Sequence, residues 1–432
     1  ILTTMTRFLE VLFSDGSSNI RRMHQLKNSV IIVDEAQSIP VRCINLFTGM
    51  MNFMSYCCND IVVLCTATQP LFDKVQHSII YGENKNLIRN PRKYAAEFKR
   101  VNVINKTNLG LLDSQQLADF VLNTFNTSML VILNTKHAVH EIYMAIQPYI
   151  ENDVELIQLT TLMCAAHRNK KINELKEMLK NGKKVICVST QLIEAGVDIS
   201  FDTVIRSAAG LDSISQAAGR CNRNGEMNTL GSVYIINYKE EKTGNLVDIQ
   251  KGKEAFLNVA SRFDGDLLST KALDMFYKQY YFDRYREMSY SLQEENTNLF
   301  ELLSTNTGSN NEYKLEKNKP YPYPLSQAYA YAGSHFHAIE NTNSIGLIIP
   351  YDEAVSYIAE LKMERSFTDV KRTLKLLQRY TVNINKNSFL IRELIARHAI
   401  DSSVLDGDIL ILDKDFYSNE VGINSDLNLQ VF

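Results

Sequence analysis

The chain has 432 residues, 45% of them apolar and 22% charged, with a formal net charge of −3. That length exceeds one comfortable hydrophobic core and predicts two or three domains. The near-neutral charge excludes a polycation, so any nucleic-acid contact must come from a local basic surface. Seven cysteines, an odd number without a Cys-x-x-Cys pair, argue against a disulfide scaffold or a cysteine zinc site and fit a reduced, cytoplasmic setting. No uncharged stretch approaches the roughly 18–20 apolar residues that span a bilayer, so no membrane association is expected. The opening Ile1-Leu2-Thr3-Thr4-Met5 has no basic leader and starts in the middle of an apolar pattern. It reads as a truncated start, not a signal peptide.

Short apolar runs alternate with longer amphipathic segments through residue 240 or so, which predicts parallel α/β construction. Val30–Val33 and Ile61–Leu64 read as central strands buried on both faces, because polar alternation is absent. Between them, Pro40 to Met54 has helical spacing and opens on proline. The basic, polar stretch from Ile88 to Asn108 reads as an interdomain linker. A second series follows, with a helix near Ser114–Phe125, strand Met129–Leu133, a helix near Ala138–Ile146 and strand Glu155–Gln158. It continues through a helix near Asn169–Leu179 and strands Lys184–Val188, Thr203–Arg206 and Ser232–Ile236. After Gly265, Leu268–Tyr285 looks helical and tyrosine-rich, and Glu294 to Lys319 reads as a polar loop or insertion. Pro320-Tyr321-Pro322-Tyr323-Pro324 is a stiff marker before a smaller domain. There, Ser344–Ile349 is expected as a strand, with helices near Ser326–Gly333, Glu353–Leu361 and Phe367–Leu377. The resulting division is 1–105, 106–265, 266–319 and 320–432.

The chemistry sits at strand ends. Asp34-Glu35-Ala36-Gln37 follows Val30–Val33 directly, and an acidic pair in that place suits a nucleotide-hydrolysing motor. Asp34 would hold magnesium, Glu35 would position or deprotonate the attacking water, and Gln37 could sense the phosphate, or simply cap a helix. Thr66 and Thr68 follow Ile61–Leu64, so their hydroxyls emerge at the same sheet edge. Ordinary turn chemistry is their plainer reading, outweighed by the neighbouring acidic pair. Asn134-Thr135, and Ser189, Thr190 and Gln191, are short donors at strand ends, suited to nucleic-acid phosphates or to capping the next helix. Glu194-Ala195-Gly196-Val197-Asp198 supplies a tight turn whose Asp198 carboxylate can bond a ribose hydroxyl or an arginine. Gln216-Ala217-Ala218-Gly219-Arg220-Cys221-Asn222-Arg223 places Arg220 and Arg223 on one face of an expected helix, as arginine fingers.

That set, in that order, is a superfamily-two helicase signature. Together with Leu159-Thr160-Thr161-Leu162-Met163-Cys164-Ala165-Ala166-His167-Arg168, it resembles the CRISPR type I interference helicase-nuclease family. The resemblance runs from Ile1 to about Asn237. It extends to Pro324-Leu325-Ser326-Gln327-Ala328 and Leu347-Ile348-Ile349-Pro350-Tyr351, which are similar to the type I-C branch. It implies two RecA-like parallel-sheet lobes, the first truncated at its N-terminus, plus a smaller C-terminal domain. It also implies ATP and Mg2+ as cofactors, with ATP between the lobes. Single-stranded DNA and the crRNA-guided Cascade complex are the implied partners, for a monomer that unwinds and degrades foreign DNA.

The chain departs from that pattern in two ways. It contains no Gly-x-x-x-x-Gly-Lys-[Ser/Thr] phosphate loop and no His-Asp dipeptide of the family's nuclease domain, His335-x-His337 being a weak substitute for a metal site. These residues alone are therefore expected to bind ATP weakly and turn it over slowly. Basic clusters at Arg89, Arg92, Lys93, Lys99 and Arg100, and at Lys371, Arg372, Lys375 and Arg379, are solvated faces or a track for a single strand. A general RNA or DNA helicase, and a catalytically silent DNA- or Cascade-binding module, are the alternatives.

Overall fold

A computed structural model describes every residue except 84, 89–93, 95, 96, 195, 245, 293–295, 340–342, 364, 365, 405, 406 and 425–432. Arg89, Arg92 and Lys93 of the basic linker cluster therefore lie outside the described residues. The protein is mixed α/β, with one large parallel sheet and several smaller ones. Its residues group into two compact units, 1–94 with 268–341 and 95–267 with 342–432.

In the first unit, β1 (Val30–Val33) runs parallel to β2 (Ile61–Leu64), paired from Val30↔Ile61 to Val33↔Leu64. The expectation that both strands are buried on both faces is corrected. Val30, Ile32 and Ile61 are 62%, 67% and 62% exposed, whereas Val33 is buried. The reason is the size of the sheet: two strands pack on the helix Ile44–Cys57, and nothing among the described residues covers these three side chains. That helix starts four residues after Pro40, because a short 3-10 turn, Val41–Cys43, comes first.

Residues 268–341 wrap the same unit. The buried Asn45 donates to the Ser289 hydroxyl at 2.8 Å, and Arg42 donates to the His337 carbonyl at 2.9 Å. His77 stacks on Phe300 at 3.8 Å, and Phe13 packs against Phe336 at 5.3 Å. A side chain at Gly333 would come within 2.7 Å of the Asp15 nitrogen, so glycine is what permits that approach. The stretch expected as a polar loop carries helices at Leu299–Leu303 and Thr307–Lys317 instead. Leu299 and Leu302 are buried, and that apolar anchoring outweighs the polar composition of the segment.

The second unit is built on strands β3 (Val101–Asn105), β4 (Leu111–Leu112), β5 (Ser128–Ile132), β6 (Val154–Leu159), β7 (Lys184–Ser189), β8 (Thr203–Ser207) and β9 (Gly231–Tyr238). They form one sheet in the order β3-β9-β8-β5-β7-β6, with β4 also on β9 and every pairing parallel. β5 and β8 are buried at every position, as continuous apolar runs in a sheet covered on both faces should be. The linker expectation is corrected here. Val101–Asn105 is a strand that pairs with Gly231 to Ile235, its Val-Asn-Val-Ile alternation suiting a sheet edge. The helix Ser114–Thr124 begins at a reciprocal capping box between Asp113 and Gln116, the local signal that starts it.

Residues 344–412 add a four-stranded sheet in the order Thr381–Asn385, Ser344–Ile348, Ile409–Leu412, Ile400–Val404. Its core includes Cys164 and Ala166 from the start of the helix Ala165–Lys180. The segment after it folds back onto the same place. Ile423 donates to the Leu162 carbonyl at 3.0 Å, and Gly422, at φ 83°, lies where a Cβ would meet that carbonyl oxygen at 2.6 Å.

Candidate functional site

In the first unit, parallel pairing brings the ends of β1 and β2 to the same sheet edge, so Asp34–Gln37 and Cys65–Thr68 are adjacent loops. Backbone bonds lock them together: Cys65 N donates to Val33 O at 2.8 Å, and Ala36 N to Cys65 O at 3.1 Å. Asp34 is exposed and its Oδ1 accepts the Glu35 N–H at 3.0 Å. Glu35 has left-handed backbone, φ 51° and ψ 47°, which is uncommon for a non-glycine residue and re-aims its side chain. Gln37 opens no α-helix; it lies in the 3-10 turn Ala36–Ser38 and bridges the loops. Its amide donates to Glu35 Oε2, and its carbonyl oxygen accepts from Thr66 Oγ1. Thr66 Oγ1 is also 2.5 Å from the Thr68 carbonyl oxygen, and the buried Thr68 hydroxyl meets the Tyr277 hydroxyl at 2.7 Å. Asp34, Glu35, Gln37, Thr66 and Thr68 thus form one continuous constellation.

In the second unit, Arg220 and Arg223 converge on the turn that holds Gly196 and Asp198, and no hydrogen bond brings Gln216 to it among the described residues. The expectation that both arginines share a helical face is corrected. The helix Leu211–Ala218 carries Gln216 and ends at Gly219, and Asn222 then takes a left-handed φ of 44°, which ends any helical repeat. Arg220 is buried and donates to Ile193 O at 3.1 Å and Glu194 O at 2.5 Å. Arg223 is 39% exposed and pairs with Asp198 at 2.8 Å, whose side chain is 81% exposed. Both arginines therefore grip the turn 193–198, in which Gly196 supplies a φ of 72° and Ala195 lies outside the described residues.

The expected nucleic-acid contacts are placed less simply. Thr135 caps the helix Lys136–Ile146, its Oγ1 accepting from Ala138 N at 3.1 Å. Asn134 is buried, with its amide donating to Glu241 Oε2 at 2.7 Å and its oxygen accepting from Arg206 at 2.7 Å. Ser189 is fully buried and donates to the Leu159 carbonyl at 2.9 Å. Thr190 and Gln191 are half-buried at the end of β7. The side chains of Asn134 and Ser189 are thus committed to the interior in this conformation.

Sequence reasoning missed the group that organises this unit. Arg206, the penultimate residue of β8, has no exposed surface and forms an ion pair with Glu194 at 2.8 Å. Ser213 accepts from Arg206 at 2.9 Å and donates to Glu194 Oε2 at 2.8 Å. Burial pushes the Glu194 carboxyl above its ordinary range, while Arg206 and the Ser213 bond pull the other way. The available signal was an arginine in the otherwise buried run Thr203-Val204-Ile205-Arg206, since a buried charge requires a partner. His167, in the first turn of the helix Ala165–Lys180, has partners that the sequence does not reveal. It is buried, stacks on Tyr351 at 4.5 Å, and contacts the Tyr417 hydroxyl at 2.8 Å and the Asn419 carbonyl at 3.2 Å.

The parallel sheet of the second unit, with the turn 193–198 gripped by two arginines, fits the RecA-like lobe expected from the sequence. Residues 126–226 match the family model described as CRISPR-associated nuclease/helicase Cas3, C-terminal. The Cas3 nuclease/helicase of Methanothermobacter thermautotrophicus is 26% identical over 157 residues, which cover 36% of this chain and 18% of that protein. The Haloferax volcanii Cas3 is 53% identical over 51 residues, 12% of this chain and 5% of that protein. The crystal structure of T. fusca Cas3 shares the fold over 95% of this chain and 54% of that chain, with a TM-score of 0.62 at 13% identity. Over these stretches the chain is similar to the Cas3-like helicases, and its fold is that of the solved Cas3. It spans about half the length of the solved Cas3 chain, and the aligned stretches are a smaller share of the two curated relatives.

Proposed function

We propose that the chain is the ATP-driven DNA translocase part of a CRISPR type I effector, acting on single-stranded DNA after recruitment by a crRNA-guided complex. The observation that carries this reading is the bonded constellation from Asp34 to Thr68, because it joins a candidate hydrolytic carboxylate to a second strand-end loop. Support also comes from the relatives' own descriptions. T. fusca Cas3 was solved with ATP, and another similar structure is a CRISPR RNA-guided surveillance complex before nicking.

The residue types suit a magnesium nucleotide. Among the described residues no three metal-ligating side chains come together. Magnesium held by one or two carboxylates, with phosphates and water completing its shell, does not require such a group. The exposed Asp34 carboxylate would hold the ion, which neutralises phosphate charge when bound. Glu35, steadied by Gln37, orients the attacking water. Thr66 and Thr68 carry changes at that loop into the rest of the first unit. In the second unit, the exposed Arg223 meets phosphate charge, while the buried Arg220 holds the turn that carries Gly196 and Asp198, on which Gln216 also bears. Asn134, Thr135, Ser189, Thr190 and Gln191 belong to the end of the sheet that meets the DNA strand. There Thr190 and Gln191 make the contacts, while Asn134, Thr135 and Ser189 keep the loops in place. Because these 432 residues contain no phosphate loop, they bind ATP weakly and turn it over slowly on their own.

The test is ATP hydrolysis by this chain at saturating magnesium ATP, with single-stranded DNA or RNA of the same length as activator. Stimulation by DNA and little by RNA is the expected result. Equal stimulation by RNA would move the protein to the general helicases, and no stimulation by either would make it a silent binding module.

A further inference from the structure

We propose that Tyr277 is a positioning residue for the hydrolytic carboxylate, acting from the helix Thr270–Asp283 through Thr68, Thr66 and Gln37. The inference rests on the ATPase reading above and adds to it a part of the chain outside the paired sheet motifs. Tyr277 lies about 200 residues downstream of the loops it serves, yet belongs to the same compact unit. Its hydroxyl is 2.7 Å from Thr68 Oγ1, and both residues are closed off from solvent. Thr68 in turn presents its carbonyl to Thr66 Oγ1 at 2.5 Å, Thr66 reaches Gln37, and Gln37 donates to Glu35.

Glu35 needs such support. Left-handed backbone is unfavourable for a residue with a Cβ and persists where the surroundings fix it. The Glu35 side chain makes no capping bond to the 3-10 turn that follows, and the Gln37 amide donates to its carboxylate. A small misplacement of a base or of the water it holds costs rate far more than it costs binding. Tyr277 sits at the far end of that support, on a helix started by Ser269, whose hydroxyl accepts from Ala272 N at 3.4 Å. The ring packs edge-on against Phe276 at 5.2 Å and lies tilted against Tyr281 at 5.5 Å, so Tyr277→Phe removes the hydroxyl and keeps the packing.

The experiment measures DNA-stimulated ATP hydrolysis of the encoded protein for Tyr277→Phe, Thr68→Val, the double variant, Thr68→Ser and Glu35→Gln. Tyr277→Phe and Thr68→Val should each lower kcat about three- to tenfold, the rate equivalent of one hydrogen bond, with KM for ATP unchanged. The double variant should be no slower than the slower single, because both remove one link. Thr68→Ser, which restores the hydroxyl, should recover most of the rate. Multiplying losses in the double variant, a rise in KM in place of a fall in kcat, or a normal Tyr277→Phe beside an inactive Glu35→Gln overturns the proposal. An active Glu35→Gln overturns the ATPase reading itself.

Discussion

Glu194 and Arg206 meet 2.8 Å apart inside the second unit, the glutamate 5% exposed and the arginine not at all. The pair joins the turn after β7 to the end of β8, and through Ser213 to the helix Leu211–Ala218. It therefore fixes the turn that Arg220 and Arg223 grip. Removing one partner leaves a buried charge uncompensated, which costs about 3–5 kcal/mol, whereas replacing both with apolar groups is often neutral. Arg206→Met should accordingly lower the denaturation midpoint of the second unit markedly, and Glu194→Leu with Arg206→Met should recover most of it. Urea unfolding followed by far-UV circular dichroism reads both.

The two motif arginines should separate stability from turnover. Arg223 and Asp198 are an exposed pair, worth about 0.2–1 kcal/mol at most. Arg223→Ala should melt within a degree or two of the parent and yet lose about 10³-fold or more in DNA-stimulated hydrolysis, as removal of an arginine finger does. Arg220→Ala should lose turnover and stability together, because its buried guanidinium holds the Ile193 and Glu194 carbonyls.

Docking of the C-terminal segment should depend on pH through His167. Burial, helped by Lys171, pushes its imidazole down to about 4 from an ordinary 6.5. In the folded state it stays neutral while the unfolded chain protonates, so stability is whole above pH 6.5 and falls as pH drops from 6.5 towards 4. The total is about 3 kcal/mol, from 1.36 kcal/mol per pH unit for one proton. His167→Gln should flatten that slope. Thermal melts between pH 7.5 and 4.5 check it, and an unchanged slope in the variant counts against a buried neutral His167.

Gly422→Ala tests the same docking sterically. Its positive φ and the 2.6 Å approach to the Leu162 oxygen leave no room for a methyl group. The substitution should cost on the order of 1–3 kcal/mol and make residues 413–424 susceptible to limited proteolysis.

Much of this architecture was legible in the sequence, for identifiable reasons. β1 and β2 were read to the residue, because four-residue apolar runs bounded by polar residues have few other uses. The helix Phe367–Leu377 was also read to the residue, being strongly amphipathic and capped by Ser366. The edge strand Val101–Asn105 reads as linker in the sequence because its Asn and the basic residues before it mask the pattern. Strands Thr381–Asn385 and Ile400–Val404 were passed over for the same reason, since their apolar residues alternate with Asn, Asp and Ser. At the candidate site, the residue types at strand ends were readable, but their partners were not. Tyr277 lies 209 positions from Thr68, and Glu241 lies 107 from Asn134, separations that no local pattern encodes.

The central claim is that Glu35 drives hydrolysis without being needed to hold the nucleotide. The direct measurement is Glu35→Gln in the encoded protein, with magnesium ATP binding and DNA-stimulated hydrolysis followed in the same sample. Binding should stay within about twofold of the parent while turnover falls by about 10²-fold or more, the usual worth of a positioned general base. Hydrolysis at the parent rate would contradict it.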